Sequence, residues 1–343
     1  MSKKTKKIVC LGGGTGTSVI LSGLKKYPLK LTAIVTMFDS GGSSGKLKKA
    51  LGILPLGDIR QCLISSSTTD AISNPLSYRF GYGKLKGHSV GNLLIDEISR
   101  LTGGDLEKAI DELGKNLNIK TKIIPVTLEN ADIVALLKNN KKIKEEEKII
   151  NCRNLSKVGV KKIFLSPEVK ANPKAISAIK DADLIIVGPG KFYTTLIPIL
   201  LTKRIKEAIR KSKAKKVFIC NLMTQIGNTD GFSVEKFVEV LEKYLGEGII
   251  DYVIFNTGKP SAALLREVKK VFPKAEFVKY NKDLLKNKNF IGADVLDRKI
   301  SKTNPADILV KGTNKRTLIF HDSKKLAKII FSLCPVIQPR TKR

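Results

Sequence analysis

Apolar residues in this chain fall into short continuous runs, separated by longer stretches in which they recur at helical spacing. KIVCL (Lys7–Leu11) is the first run and predicts a buried strand, and Thr17–Tyr27 follows with helical periodicity. LTAIVTM (Leu31–Met37) predicts a second strand that leads directly into the polar loop FDSGGSSGKL (Phe38–Leu47). A helix is expected to begin near Ile59. Ser89–Leu101 and Asp105–Leu117 read as amphipathic helices, the second with Asp105 as its N-cap. From about Thr121 to Ser166 the rhythm changes: KIIPVTL, IVALL and EEKIIN are strand-like runs without helices between them, which predicts a hairpin-rich segment. Alternation then returns, with helix Pro173–Lys180, strand Asp183–Gly188, helix Thr194–Lys211 and strand Lys216–Asn221. Helix Ser233–Leu245, strand Tyr252–Asn256, helix Ser261–Phe272 and a last helix Asp322–Leu333 complete the pattern.

Repeated strand–helix units predict an α/β fold on a doubly wound, mainly parallel sheet with an inserted α+β segment. Residues 1–70 and 173–335 are assigned to the core, residues 71–172 to the insertion flanking the cleft, and residues 336–343 to a basic tail. In such sheets ligands bind beyond the carboxyl ends of the strands. The residues following each predicted strand are therefore the candidates for chemistry.

Five strand ends carry Gly, Ser, Thr or Asn: GGGTGT (Gly12–Thr17), FDSGGSSG, GPGKFYTT (Gly188–Thr195), NLMTQIGNTDG (Asn221–Gly231) and TGKPS. One such loop alone is an ordinary turn that needs glycine for its backbone. Five along one sheet edge predict an anion site made of backbone amides and hydroxyls at helix N-termini. Two familiar motifs fit poorly. GGGTGT places Thr17 where a dinucleotide fingerprint needs its third glycine, and Asp39 follows Gly12 by 27 residues, not about 20. In the second loop, Ser40 stands where a P-loop has its first glycine, and Leu47 replaces the hydroxyl residue after Lys46, which excludes a P-loop NTPase. Asp39 and Asp58 are acids in neighbouring polar loops, able to hold one Mg²⁺ against phosphate oxygens, though Asp58 reads equally well as a helix cap. His88 and Asn92, in GHSVGNLL, stand at the start of a helix suited to phosphate. No Ser-His-Asp or Cys-His arrangement points to covalent catalysis.

Composition narrows the function classes. The 343 residues are 42% hydrophobic, enough for a buried core, and no apolar run is long enough to span a bilayer. The five cysteines are scattered without a CxxC pair, which argues against disulfides and structural zinc. With neither a signal-peptide pattern nor an apolar span, a cytoplasmic location is expected. The net charge of +32 invites a polyanion, but lysines are spread along the chain and no nucleic-acid-binding pattern accompanies them, so nucleic acid is not the expected partner.

Five blocks taken together resemble the gluconeogenesis factor family, which is related to CofD, the 2-phospho-L-lactate transferase of deazaflavin coenzyme synthesis. They are GGGTGTSVILSGLKKYPLKLTAIVT, DSGGSSGKLKKALGILPLGDIRQCL, GHSVGNLL, VGPGKFYTTLIPILL and CNLMTQIGNTDGFSV, and the resemblance runs from about Lys7 to about Leu333. It implies a Rossmann-like nucleotide-binding fold. Gluconeogenesis factors are cytoplasmic proteins that bind UDP-sugars and support cell shape and wall synthesis during gluconeogenic growth. CofD proteins transfer a phospholactyl group from a nucleotide-activated donor, with Mg²⁺.

Carried onto this chain, the resemblance implies that Gly12, Gly13, Gly14, Thr15, Gly16 and Thr17 line the nucleotide phosphates, with Gly41, Gly42, Ser43 and Ser44 in the second loop. Gly188, Gly190, Tyr193, Thr194, Asn221 and Thr224 would border the cleft, and Tyr280 matches a family aromatic suited to stack on a base. Asp39 and Asp58 correspond to the family's acidic positions, catalytic and Mg²⁺-binding only in a transferase. The chain departs from the family pattern twice. Ser40 stands where a second acid is common, which weakens a transferase reading, and Phe320 replaces an arginine before His321-Asp322. The resulting expectation is a nucleotide-sugar-binding regulator that needs no cofactor to bind, with a homodimer the expected assembly. The alternatives are a CofD-like Mg²⁺-dependent transferase and, more distantly, a nucleic-acid binder.

Overall fold

A computed structural model describes residues 5–68, 75–274, 276–299, 309 and 319–334. Its centre is a sheet of seven strands: β1 (Lys6–Gly12), β2 (Leu29–Val35), β3 (Lys122–Pro125), β7 (Leu184–Val187), β8 (Lys215–Ile219), β9 (Tyr252–Asn256) and β10 (Phe290–Ala293). Their spatial order is β10-β9-β8-β7-β1-β2-β3, and every neighbouring pair is parallel. Strands of a sheet covered on both faces cannot alternate apolar with polar residues, and β7, LIIV, is buried at all four positions. The chain leaves β3 and re-enters the sheet at β7, on the other side of β1. The order therefore reverses between β1 and β7, and their diverging carboxyl-end loops open a crevice there.

Helix α1 (Gly14–Leu24) packs on α3 (Gly57–Ser66) and on the helix Ser323–Ser332. Helices Pro173–Lys180, Ile205–Lys211 and Val234–Leu245 make a second packed group. Asp105, Ser233, Ser261 and Asp322 each cap a helix by accepting a backbone N–H. A separate antiparallel sheet, in order β5-β4-β6, contains β4 (Asp132–Leu137), β5 (Lys142–Lys144) and β6 (Val160–Ser166).

The α/β, doubly wound, mainly parallel architecture matches the sequence expectation, and four local readings are corrected. Of the predicted hairpin-rich segment, KIIP is not part of a hairpin: it pairs parallel with β2, Thr32 opposite Lys122, and extends the main sheet. EEKII is a helix (Glu146–Ile150), not a strand; Glu145 turns the chain at φ +80°, and two acids then occupy the first helical turn, where the helix dipole favours them. The long helix expected over Thr194–Lys211 is broken into a π-helical turn, Phe192–Leu196, and two helices, Ile197–Leu201 and Ile205–Lys211. Arg204, at φ +75°, reverses the chain before the last of these. The polar loop after β2 becomes helix α2 (Gly42–Leu51), because Gly42 turns the chain at φ +54° and the Ser43, Ser44, Gly45 and Leu47 face is buried. The basic tail lies outside the described residues, among which no helix is long and apolar enough to cross a membrane.

Candidate functional site

The crevice at the β1/β7 switch point is a cavity of about 330 Å³. It is lined by Gly13–Gly16 after β1, Asp39 and Gly41–Ser44 after β2, Pro189–Lys191 with Thr194 and Thr195 after β7, and Asn221–Ile226 after β8. Helices α1 and α2 both start here, at Gly14 and Gly42. Neither has a side-chain cap nor an acid in its first turn, so both positive helix ends are presented to the cavity.

Of the sequence-predicted residues, Gly13, Gly14, Thr15, Gly16, Asp39, Gly41, Gly42, Ser43, Ser44, Asp58, Asn92, Gly190, Thr194, Asn221 and Thr224 come together around this cavity. Six do not line it. Gly12 ends β1, and Thr17 lies behind it, the Thr17 hydroxyl occupying the space a Gly12 side chain would need. Gly188, at φ +79°, forms the turn beneath the cavity. Tyr193 is buried in an aromatic cluster, its ring 5.3 Å from Phe192 and 6.4 Å from Phe232. The Tyr280 ring packs 4.9 Å from Phe255 instead of facing the cleft. His88 stands behind α2, where its Nδ1 lies 3.2 Å from Ser43 Oγ.

Beneath the loop after β2 is a polar network. Arg60, buried, donates from Nε to Asn92 Oδ1 (3.0 Å), and Asn92 Nδ2 donates to Oγ of both Ser43 and Ser44 (3.4 Å each). Gly57 N–H donates to Ser44 Oγ at 3.0 Å. Ser43 Oγ also accepts Ser89 N–H (3.3 Å), so its own proton is directed to His88 Nδ1. Burial, with Lys46 and Arg79 nearby, lowers the His88 pKa and keeps it neutral for that role. These bonds fix the first turn of α2 before any ligand arrives.

Three acids meet at the floor. The Asp58 carboxylate lies against the backbone of Gly13 and Gly14; it sits inside the first turn of α3, whose N-cap position is Leu56. Asp39 Oδ1 accepts Gly41 N–H at 3.1 Å. Its pKa is pushed well above the carboxylate range by burial, then by Glu146 and Asp58, with Lys191 opposing. Glu146, which the sequence reading placed in the strand-like run EEKIIN, comes from the helix beside the three-stranded sheet. Its Oε1 lies 2.8 Å from Lys191 Nζ, and its Oε2 accepts Ser40 N–H at 3.4 Å. Burial pulls the Lys191 pKa down, but Glu146, Asp39 and Asp58 outweigh it, so the ammonium stays charged. Lys191 was visible in GPGKFYTT; nothing in the spacing of Glu146 marked it as its partner.

Among the described residues no three His, Cys, Asp or Glu side chains are placed to hold a metal ion, and the positive charge beside the two aspartates is the Lys191 ammonium. Asp39 and Asp58 alone make no closed protein cage for Mg²⁺, which would have to draw further ligands from water or from a substrate's phosphates. Thr36 and Thr194 line the cavity, each 3% exposed, but their Oγ1 atoms are themselves fully buried, and neither has a hydrogen-bond partner among the described residues. Phe320 and His321 form part of the opposite wall, so the departure at Phe320 falls inside the site. His321 Nε2 donates to the Cys220 carbonyl (3.2 Å), and burial pushes its pKa down to about 4, leaving a neutral ring with Nδ1 as acceptor.

Comparison with known proteins places this geometry among relatives. The family model described as 2-phospho-L-lactate transferase CofD matches residues 8–299. The gluconeogenesis factor of Listeria innocua is 41% identical over 261 residues, covering 75% of this chain and 80% of its own. A Thermotoga maritima relative, also named as a gluconeogenesis factor, is 38% identical over 328 residues, covering 94% of this chain and 98% of its own. The crystal structure of a UPF0052 family member from Bacillus halodurans superimposes with a TM-score of 0.83 at 33% identity, covering 96% of this chain and all of that one.

Proposed function

The chain belongs to the CofD family, alongside relatives named gluconeogenesis factor, and from that premise we propose that it binds a nucleotide sugar of the UDP-sugar type. In this reading it acts as a cytoplasmic, homodimeric regulator of cell shape and wall metabolism during gluconeogenic growth. The observation that carries the binding part is the convergence on one cavity of two helix N-termini, neither with an acid in its first turn, and four glycine- and hydroxyl-bearing strand-end loops. The diphosphate would lie over Gly13–Gly16 and Gly41–Ser44, with the sugar or base toward Asn221–Ile226 and Phe320.

The test is calorimetric titration with UDP-N-acetylglucosamine and with guanosine diphosphate, each with and without Mg²⁺. Binding of the UDP-sugar, indifferent to the metal, supports the reading; a guanine preference with strict metal dependence overturns it. That second outcome belongs to a CofD-like transferase, a reading favoured by the family match and by the two aspartates that share the cavity. It would require the substrate's own phosphates to complete a metal site that the side chains do not make alone.

A further inference from the structure

We propose that Lys191 is the cation that receives the ligand's diphosphate, held in place by Glu146, and that it serves where a divalent metal would otherwise stand between Asp39 and Asp58. The inference rests on the nucleotide-diphosphate reading above and names the residue that makes such binding independent of metal.

An acid-rich floor should repel a diphosphate. Asp39, Asp58 and Glu146 all contribute carboxyl groups to the cavity, and a phosphate placed there needs a positive charge within a few ångströms. Lys191 supplies it from the loop after β7, at the switch point of the sheet. The burial of the two partners is unequal: the Lys191 side chain is 40% exposed, whereas that of Glu146 is 3% exposed. An ion pair serving only to hold the chain together gains nothing by leaving its cation open to the cleft. Lys191 Nζ donates to Glu146 Oε1 at 2.8 Å, so an incoming phosphate oxygen would meet an ammonium already oriented by its partner. Glu146 is in turn fixed through Ser40 N–H, while Ser40 Oγ accepts Glu147 N–H at 3.0 Å. Ser40 thus helps to seat the acid that positions Lys191, where a second aspartate would add another negative charge.

The experiment measures binding of inorganic pyrophosphate and of UDP-N-acetylglucosamine by calorimetry, in EDTA and in Mg²⁺. It uses the wild-type chain, Lys191→Ser, Lys191→Arg and the double variant Lys191→Ser/Glu146→Gln. Wild type should bind pyrophosphate with affinities that agree within about twofold in the two buffers. Lys191→Ser should lose about tenfold or more in EDTA and recover part of it with Mg²⁺, while Lys191→Arg, which keeps the charge, should stay within about threefold of wild type. The double variant should behave like Lys191→Ser, showing that the loss does not come from a stranded Glu146 carboxylate. It also decides the question if the single variant fails to fold. The inference is overturned if wild type needs Mg²⁺ to bind pyrophosphate, if it does not bind pyrophosphate at all, or if the double variant binds in EDTA as wild type does. Pyrophosphate bound as expected, with no binding of the UDP-sugar, leaves Lys191 in its role and removes only the nucleotide-sugar reading.

Discussion

Asp58 closes directly onto Gly13: a β-carbon at Gly13 would stand 2.9 Å from Asp58 Oδ2 and equally close to Thr195 Cγ2. The first strand-end loop is therefore pinned between an acid from α3 and a threonine from the loop after β7. Gly13 itself has an extended backbone, which alanine can adopt. Gly13→Ala should thus shift Asp58 and Thr195 without unfolding the chain. We expect UDP-N-acetylglucosamine affinity to fall by about tenfold and the melting temperature to move by no more than about 4 °C. Calorimetry and thermal melting check both, and unchanged affinity would mean that the Asp58–Gly13 contact does not shape the binding site.

His321 makes stability depend on acid. Its folded pKa is about 4, against an ordinary value of 6.5, because burial disfavours the imidazolium. A base whose folded pKa is depressed contributes stability that is complete above the unfolded pKa and lost as pH falls toward the folded one. The window is therefore pH 6.5 down to about 4, with a loss on the order of 3 kcal/mol. His321→Gln can keep a donor toward the Cys220 carbonyl but cannot take up the proton. Its melting temperature should fall less steeply across that window than wild type's, measured as thermal melts at half-unit pH steps.

These two relationships differ in how far the sequence announced them. The Gly13 loop was legible because its glycines follow an unbroken apolar run, and strand order then brings the strand-end loops to one edge. Glu146 was not legible, because a triple acid between lysines has the composition of a solvated surface. Only the turn at Glu145 and the adjoining buried isoleucines carry it inward. Tyr193 and Tyr280 show the opposite error. Tyr193 was expected to border the cleft with its glycine-rich loop, and Tyr280 to stack on a base by family resemblance, but the Tyr193 ring packs on Phe192 and the Tyr280 ring on Phe255. β10 was missed because FIGA is short and contains a glycine, and pairing with β9 makes it a strand.

Asp39 should be a burden to the unliganded protein at neutral pH. Its pKa is raised by burial and by the neighbouring charges of Glu146 and Asp58, against the pull of Lys191. Raising an acid's pKa on folding means that the ionised form destabilises the fold. The penalty is present above the folded pKa and disappears as pH falls to the ordinary carboxylate value of 3.8. Asp39→Asn should therefore raise the melting temperature at pH 7, by about 2 °C or more, and the gain should shrink toward pH 4. The variant should also retain UDP-sugar binding, since removing a carboxylate lowers the repulsion on a diphosphate. Loss of binding would assign Asp39 a direct contact with the sugar.

The contact of Asn228 with Ile150 ties the cavity wall to the helices beside the three-stranded sheet. Asn228 is buried and donates from Nδ2 to the Ile150 carbonyl at 3.1 Å, while Ser156 N–H donates to the Gly227 carbonyl at 2.7 Å. The same loop lines the cleft through Gln225 and Ile226, and the helix it holds carries Glu146. Asn228→Ala removes the side-chain bond and should cost about 1–2 kcal/mol, concentrated where the two units meet. Amide hydrogen exchange should accelerate over residues 146–158 and 225–230, with the strands of the seven-stranded sheet unchanged. In wild type, UDP-N-acetylglucosamine should slow exchange over residues 146–150, because a ligand on Lys191 and on Gln225–Ile226 clamps that helix from two sides. In Asn228→Ala the ligand's effect there should be smaller, even at saturation. Equal protection in both chains would show that this contact does not couple the ligand to that helix.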